Sequence, residues 1–256
     1  MDGLLQHTPY IFLIGLRITG LFVMSPVFGR IGLPVRFRIG LALLLTYILV
    51  KAVPLETVSD NVYIYLMLCV KEFLLGVTMG YLTSLFLSVA FTAGQIIDFQ
   101  IGFGMVNIFD VQNQQQVPLA GNLLNLAALM LFFAADGHLD LIRILSATVY
   151  KMPPGQLVVP QTLGAAMAGY FASMFVFAVR LALPVIAASL MAEVGLAVIM
   201  RSVPQVNVFI LGFPLKILLG LVVLAVILPA YGRFMDGVYD HMYDAIENTF
   251  SSWAVA

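Results

Sequence analysis

The sequence predicts an all-α membrane protein, and three observations carry that prediction. Of the 256 residues, 62% are hydrophobic and 10% are charged, whereas a soluble domain has ~45–50% apolar and ~25% charged residues. The apolar residues form six segments, and runs this dense need lipid or other apolar protein around them. Glycines four residues apart, such as Gly76 and Gly80, are typical of membrane helices that pack closely.

The six apolar segments differ in how well they suit a membrane span of ~20 residues. The first and the fourth fit that length, the second is short, and the third and fifth are too long. The sixth contains Pro214 and Lys216. In chain order the segments are Tyr10–Phe28, Ile39–Val53, Val62–Ala93, Val117–Ala135, Leu163–Ala192 and Val206–Tyr231.

Charged residues inside these segments predict contact with protein as well as lipid. Lys71 and Glu72 lie in the third segment, Arg180 in the fifth and Lys216 in the sixth. Charges at membrane depth are costly and normally face a protein interior or a wet cavity, so we expect them to be buried against protein. The alternative is that Lys71, Glu72 and Lys216 reach an interface from tilted helices.

Prolines at 184, 214 and 229 are expected to break helices at points where neighbouring elements satisfy the freed backbone.

Two stretches predict amphipathic helices instead of spans. Leu139–Tyr150 carries an apolar stripe of Leu139, Ile142, Leu145 and Val149. In the C-terminal tail, one helix face carries Asp236, Asp240 and Asp244. The other face is apolar and consists of Met235, Tyr239, Met242 and Ile246.

Most other function classes find no support in the sequence. A net charge of −1 gives no basic stripe for nucleic acid, and one cysteine, Cys69, excludes an internal disulfide or a Cys-based zinc site. No HExxH, GxSxG or nucleotide-binding loop occurs. The stretch Asp136–Asp140 suits a helix N-terminus better than a metal site. The sequence therefore predicts no enzyme, no cofactor and no metal.

Two other stretches carry more information. Residues 95 to 116 contain eight Asn or Gln together with Asp98 and Asp110, and residues 202 to 220 read SVPQVNVFILGFPLKILLG. Amide side chains can satisfy irregular backbone where lipid cannot. Bulky apolar residues on a glycine-flanked loop suit a deformable constriction in a pore. The alternative is a polar loop that only joins two helical hairpins.

The C-terminal stretch resembles a known family. Pro204-Gln205-x-Asn207-x-Phe209-x-x-Gly212-Phe213-Pro214-Leu215-Lys216 is similar to the C-terminal signature of the FliR/SctT proteins of type III protein export. The resemblance extends over the whole chain. It includes Pro26-Val27-Phe28-Gly29 with Pro34-Val35-Arg36, the loop around Gly102, Gly137-His138 and Ala182-Leu183-Pro184.

This resemblance implies a core subunit of the export gate in the flagellar basal body, in the bacterial inner (cytoplasmic) membrane. The chain would be one export-gate domain, with P-like helical hairpins over 1–160 and a Q-like hairpin with an amphipathic tail over 161–256. It would assemble with P-type and Q-type subunits into a helical funnel that carries unfolded export substrates. The B-type switch subunit and the A-type export subunit are further implied partners.

The resemblance also implies roles for individual residues. The loop after the third segment would plug the pore, through Gly102, Phe103, Gly104, Met105, Val106, Asn107, Ile108, Phe109, Asp110 and Gln112. The C-terminal signature would serve structure and assembly, through Pro204, Gln205, Asn207, Gly212, Pro214 and Lys216. A different class of function stays open: a secondary transporter or small-solute channel that uses Arg180, Lys216 or Asp98 as its site.

Overall fold

A computed structural model of the chain describes residues 8–29, 34–53, 58, 61–103, 118–202 and 208–253, without the side chains of 52, 208–211 and 213. Within these ranges the ordered elements are seven α-helices and no strand. They are α1 (Thr8–Met24), α2 (Val35–Ala52), α3 (Val62–Ile101), α4 (Leu119–Ala134), α5 (Gly137–Lys151), α6 (Leu163–Ser202) and α7 (Val208–Ser251).

The helices confirm the predicted all-α class. Each of the six apolar segments overlaps one helix, and α5 is the predicted amphipathic helix. By length and composition, three helices of the described part can cross a membrane: α3, α6 and the Pro214–Ser251 part of α7. A fourth span results if the bent pair of α4 and α5 counts as one. The chain is therefore a membrane-embedded helical protein.

The expected breaks at prolines are wrong. Pro184 lies inside α6, and Pro214 and Pro229 lie inside α7. One proline removes a single backbone hydrogen bond, whereas interrupting the helix in apolar surroundings would expose several unbonded backbone groups. The helix therefore continues, and the acidic tail is the C-terminal part of α7.

The chain divides into two compact units. The first consists of Met1–Phe86, Ala135–Phe171 and Asp240–Ala256, and the second of Leu87–Ala134 and Ala172–Tyr239. In the first unit α1 packs on α2 and lies against α3 through Gly76 and Gly80 of α3. A Cβ on Gly76 would overlap the carbonyl oxygen of Arg17, and one on Gly80 would lie 2.7 Å from that of Leu21. The glycine pair thus mediates a helix contact, as predicted, and its partner is α1.

The first unit also contains α5 and the end of α7. The apolar face of α5 is rotated from the predicted stripe, since Leu141, Leu145 and Val149 are buried while Leu139 is exposed. Thr148 lies on the same buried face. Along α7 the predicted apolar side is confirmed, because Met235, Tyr239, Met242 and Ile246 are buried and the three aspartates are exposed.

The second unit is built around α4. Two tyrosines of α7 donate hydrogen bonds to its backbone: the hydroxyl of Tyr231 to the carbonyl of Leu124 at 2.7 Å, and that of Tyr239 to the carbonyl of Ala128 at 2.6 Å. Each bond satisfies a buried hydroxyl that would otherwise be costly. These bonds fix α7 against α4 within the unit.

Candidate functional site

The predicted plug begins where α3 ends. Gly102 has a φ of 89°, a left-handed conformation that favours glycine, and its N–H donates to the carbonyl of Phe99 at 3.3 Å. Gly102 and Phe103 are half-buried. The other eight predicted plug residues, Gly104, Met105, Val106, Asn107, Ile108, Phe109, Asp110 and Gln112, lie outside the described residues. The described part of the site is thus its two stems, the C-terminal end of α3 and the N-terminal end of α4.

Asp98 joins the two stems. Its buried carboxylate accepts the backbone N–H of Ala120 at 3.0 Å through Oδ1 and that of Gly121 at 3.1 Å through Oδ2. The first N–H groups of a helix have no partner inside that helix. A negative charge at the N-terminus also interacts favourably with the helix dipole. A residue 22 positions earlier in the chain therefore caps α4.

A close backbone contact reinforces this cap. A Cβ at Gly94 of α3 would overlap the Cα of Gly121 in α4. The two helices can approach this closely only because both positions are glycine. The two stems of the predicted plug loop are therefore held side by side in the second unit.

The last turns of α3 also contact α6 and α7. The side-chain amide of Gln100 donates to the hydroxyl of Ser189 at 3.4 Å, and that hydroxyl donates to the carbonyl of Gln100 at 3.3 Å. A Cβ at Gly220 of α7 would overlap the side chain of Ile101. Three helices of the second unit thus surround the stem from which the loop departs.

We expect Asp98→Ala to destabilise the second unit by about 1–3 kcal/mol, because it leaves two buried N–H groups without acceptors. Asp98→Asn keeps one acceptor oxygen and should cost less. Thermal unfolding of the complex, purified in detergent, measures the difference. The matched control is Asp236→Ala on the exposed face of α7, which should change little; equal effects of Asp98→Ala and Asp236→Ala would contradict the capping role.

A second polar site lies in the first unit, around Arg17 of α1 and Glu72 of α3. Both side chains are fully buried. The Nε and Nη2 atoms of Arg17 each lie 2.7 Å from Oε2 of Glu72. Oε1 of Glu72 accepts the backbone N–H of Gly155 at 3.0 Å. The two charges therefore neutralise each other away from water.

The remaining guanidinium donors reach α5 and the turn after it. Nη1 donates to Oγ1 of Thr148 at 3.3 Å, and Nη2 donates to the carbonyl of Met152 at 3.1 Å. The neighbouring Lys71 donates from Nζ to the carbonyl of Leu157 at 3.1 Å. A buried ion pair is tolerated when its other donors and acceptors are bonded. This network ties α1, α3 and α5 to the 152–157 turn.

Sequence reasoning missed Arg17, although the signal was present. A lone arginine in the first apolar segment is the same observation that selected Arg180 in the fifth. The partners of Arg17 lie 55 to 135 residues away along the chain, so no local spacing indicates them. Arg17 is the charged residue that the structure adds to the site.

The other predicted buried charges have different surroundings. Glu72 is buried and Lys71 is half-buried. Lys216 is half-buried and forms an ion pair with Glu193, a second residue that the sequence did not single out. Arg180 is exposed, so the expectation of burial is not met by this chain's own residues. Burial of Arg180 against a partner stays a prediction.

The predicted assembly signature is described only in part. Gly212 is buried, and Pro214 is exposed within α7. Pro204, Gln205 and Asn207 lie outside the described residues.

The Asp136–Asp140 stretch begins α5: Asp136 is its N-cap residue with a φ of 56°, and Asp140 pairs with Arg143 at 2.7 Å on the surface. Over the described ranges, no group of three or more potential ligand side chains gathers as a metal site would require.

Comparison with known proteins covers nearly the whole chain. The family model described as "Bacterial export proteins, family 1" matches residues 9–242. The flagellar biosynthetic protein FliR of Escherichia coli K12 is 26% identical over 236 residues, which are 92% of this chain and 90% of that protein. FliR of Bacillus subtilis 168 is 28% identical over 251 residues, or 97% of each chain. The Yop proteins translocation protein T of Yersinia pestis is 28% identical over 204 residues, or 78% of each.

Proposed function

Because the chain belongs to the family of bacterial export proteins, family 1, we propose that it is a core subunit of the flagellar type III protein export gate. The observation that carries this proposal is the extent of the similarity, which covers 90–97% of this chain and of the two FliR proteins. The flagellar system is favoured over a virulence system because the similarity to the Yersinia protein covers less of either chain.

Within this function, the chain would assemble with P-type and Q-type subunits in the cytoplasmic membrane, around a channel for unfolded proteins. The poor coverage of some membrane-spanning helices by their own chain supports that proposal. In the most apolar stretch of the Pro214–Ser251 span, 11% of the residues are buried within the chain, against 67% in α3. Long apolar helices that are poorly covered by their own chain suit a subunit whose neighbours complete the packing. The division into P-like residues 1–160 and Q-like residues 161–256 stays a prediction.

The plug belongs to this proposal as well. Its stems are joined by Asp98 and by the Gly94–Gly121 contact, which supports a loop with a fixed origin in the second unit. Apolar side chains at 103, 105, 108 and 109 would exclude water and small ions from the channel. The sequence carries no nucleotide-binding motif, so the energy for export would come from other components.

The transporter alternative is weakened by the structure. Of its three candidate site residues, Asp98 caps α4 and Lys216 pairs with Glu193. Residues that complete structural bonds are poorly suited to binding and releasing a solute. Family membership also agrees with the prediction that the chain is not an enzyme.

Co-purification tests the proposed function. A tagged copy of the chain, expressed from its own locus and extracted in mild detergent, should bring with it two other small hydrophobic proteins, and deletion of its gene should abolish motility. Expressed alone, it should aggregate or be degraded, because exposed charges and apolar faces would lack partners. A monodisperse, protease-resistant protein without companions, in a bacterium that swims normally without the gene, would contradict the proposal.

A further inference from the structure

The helix α6 carries an apolar stripe that its own chain leaves uncovered. Its buried side consists of Met174, Ala178, Leu181, Ala182, Val185 and Ser189. On the opposite side, Val176, Val179, Leu183, Leu190, Met191 and Val194 are exposed. Only 33% of the most apolar stretch of α6 is buried. We call the exposed side from 176 to 194 the α6 stripe.

The α6 stripe contains one charge, the exposed side chain of Arg180. Along the helix Arg180 lies about 25 Å from Leu163 and about 20 Å from Glu193, at ~1.5 Å per residue. Both distances place it deep within an apolar run. Among the residues that the structure describes, Arg180 forms no ion pair, whereas Arg17 and Lys216 each have a carboxylate partner. Its charge is therefore uncompensated within the described chain.

The backbone at the same position is also incompletely bonded. A helix directs the N–H of residue 184 at the carbonyl of residue 180, but residue 184 is Pro184, which has no N–H. The carbonyl of Arg180 thus lacks its usual donor. The α6 stripe therefore presents a cationic donor and a free acceptor at one point of an otherwise apolar surface.

We propose that the α6 stripe docks a membrane-spanning helix of a partner subunit that carries a carboxylate at the depth of Arg180. This proposal rests on the function proposed above and specifies the chemistry of one partner. A carboxylate matches the guanidinium in charge and in fork geometry. A hydroxyl or amide donor within one turn of that carboxylate would satisfy the carbonyl of Arg180. The surrounding apolar residues would pack against the partner helix.

Charge complementarity selects this partner over two others. Lipid tails offer neither a negative charge nor a hydrogen bond, so a stripe that faces them would gain from losing Arg180. A second copy of this chain would have to supply a carboxylate from an equivalent apolar face. The α6 stripe has none, and the nearest acid along the helix, Glu193, already pairs with Lys216.

Three variants in the native bacterium test the proposal: Arg180→Leu, Arg180→Lys, and the control Arg201→Leu, which removes another exposed arginine from the end of the same helix. We expect Arg180→Leu to lower recovery of the companion subunits about tenfold at equal amounts of the tagged chain in the membrane. Arg180→Lys should lose much less, because it keeps the charge, and Arg201→Leu should match the wild type. Undiminished recovery with Arg180→Leu would overturn the proposal.

Two further measurements identify the partner. Motile suppressors of Arg180→Glu should change an Asp or Glu in an apolar helix of another subunit to Lys or Arg. In a Cys69→Ser background, the variant Leu183→Cys should cross-link to that same helix. Cross-links or suppressors that map to a second copy of this chain, or cross-linking to no protein, would overturn the docking proposal. Failure of the proposed function gives a different result from failure of the docking proposal. If the chain is not a gate subunit, the wild-type chain itself recovers no companion subunits.

Discussion

Replacing Arg17 with methionine should destabilise the first unit by about 3–5 kcal/mol, the largest stability loss that we expect from one substitution. The change leaves Glu72 buried and charged without its partner. It also removes the donors to Thr148 and to the carbonyl of Met152. We expect the chain to disappear from the membrane fraction, as measured by immunoblot of a tagged copy and by proteolysis of the purified complex.

The matched control is Arg143→Met, which breaks an exposed ion pair with Asp140 and should have little effect. The double variant Arg17→Met with Glu72→Leu should recover part of the lost stability, because no unpaired charge remains. If Arg17→Met accumulates like Arg143→Met, the buried network does not hold the first unit together.

Deleting residues 106–114 should open a leak in an assembled complex, the largest functional effect that we expect. The deletion removes the predicted apolar seal at 108 and 109 but leaves Asp98 and its bonds to Ala120 and Gly121 in place. Because Asp98 still joins the two stems, the subunit should still fold and assemble. Membrane conductance in planar bilayers or intact cells should rise by roughly an order of magnitude or more, since the apolar constriction excludes water and ions.

A control separates the seal from the length of the loop. Changing Phe103, Met105, Ile108 and Phe109 to serine should also produce the leak, whereas changing Gln112–Gln116 to serine should not. A transporter would instead lose uptake of one solute without a general leak, and a simple connector would show neither effect. Unchanged conductance, with the complex confirmed intact, would remove the plug assignment.

Local patterns in the sequence predicted the helices well, because the apolar period reports directly on secondary structure. The amphipathic segment 139–150 became α5, and the acid-lined tail became the end of α7. The exact face of α5 was less well predicted. Leu139 lies near the N-terminus of that helix and is exposed, while Thr148, which an apolar pattern passes over, is buried by its bond to Arg17.

The polar contacts of the candidate sites could not be predicted, because they join residues that lie far apart in the sequence. No spacing rule relates Asp98 to the first turn of α4, or Glu72 to the N–H of Gly155, which lies 83 residues further on. The prolines did not mark helix breaks for a similar reason. Whether Pro184 ends a helix depends on the packing of the flanking turns, such as the buried Leu181 and Val185, and a single-sequence pattern does not contain that information.

The Arg17 network also sets an order of events during synthesis of the chain. Glu72 follows Arg17 by 55 residues, and Thr148 follows it by 131. At ~5–20 residues per second, the ribosome needs about 3–11 seconds to supply the carboxylate and about 7–26 seconds to supply the hydroxyl. Until Glu72 has been made, the newly made α1 carries a cation whose counter-charge does not yet exist. Because an isolated cation in lipid is costly, we expect α1 to reach its final place only after α3 has emerged.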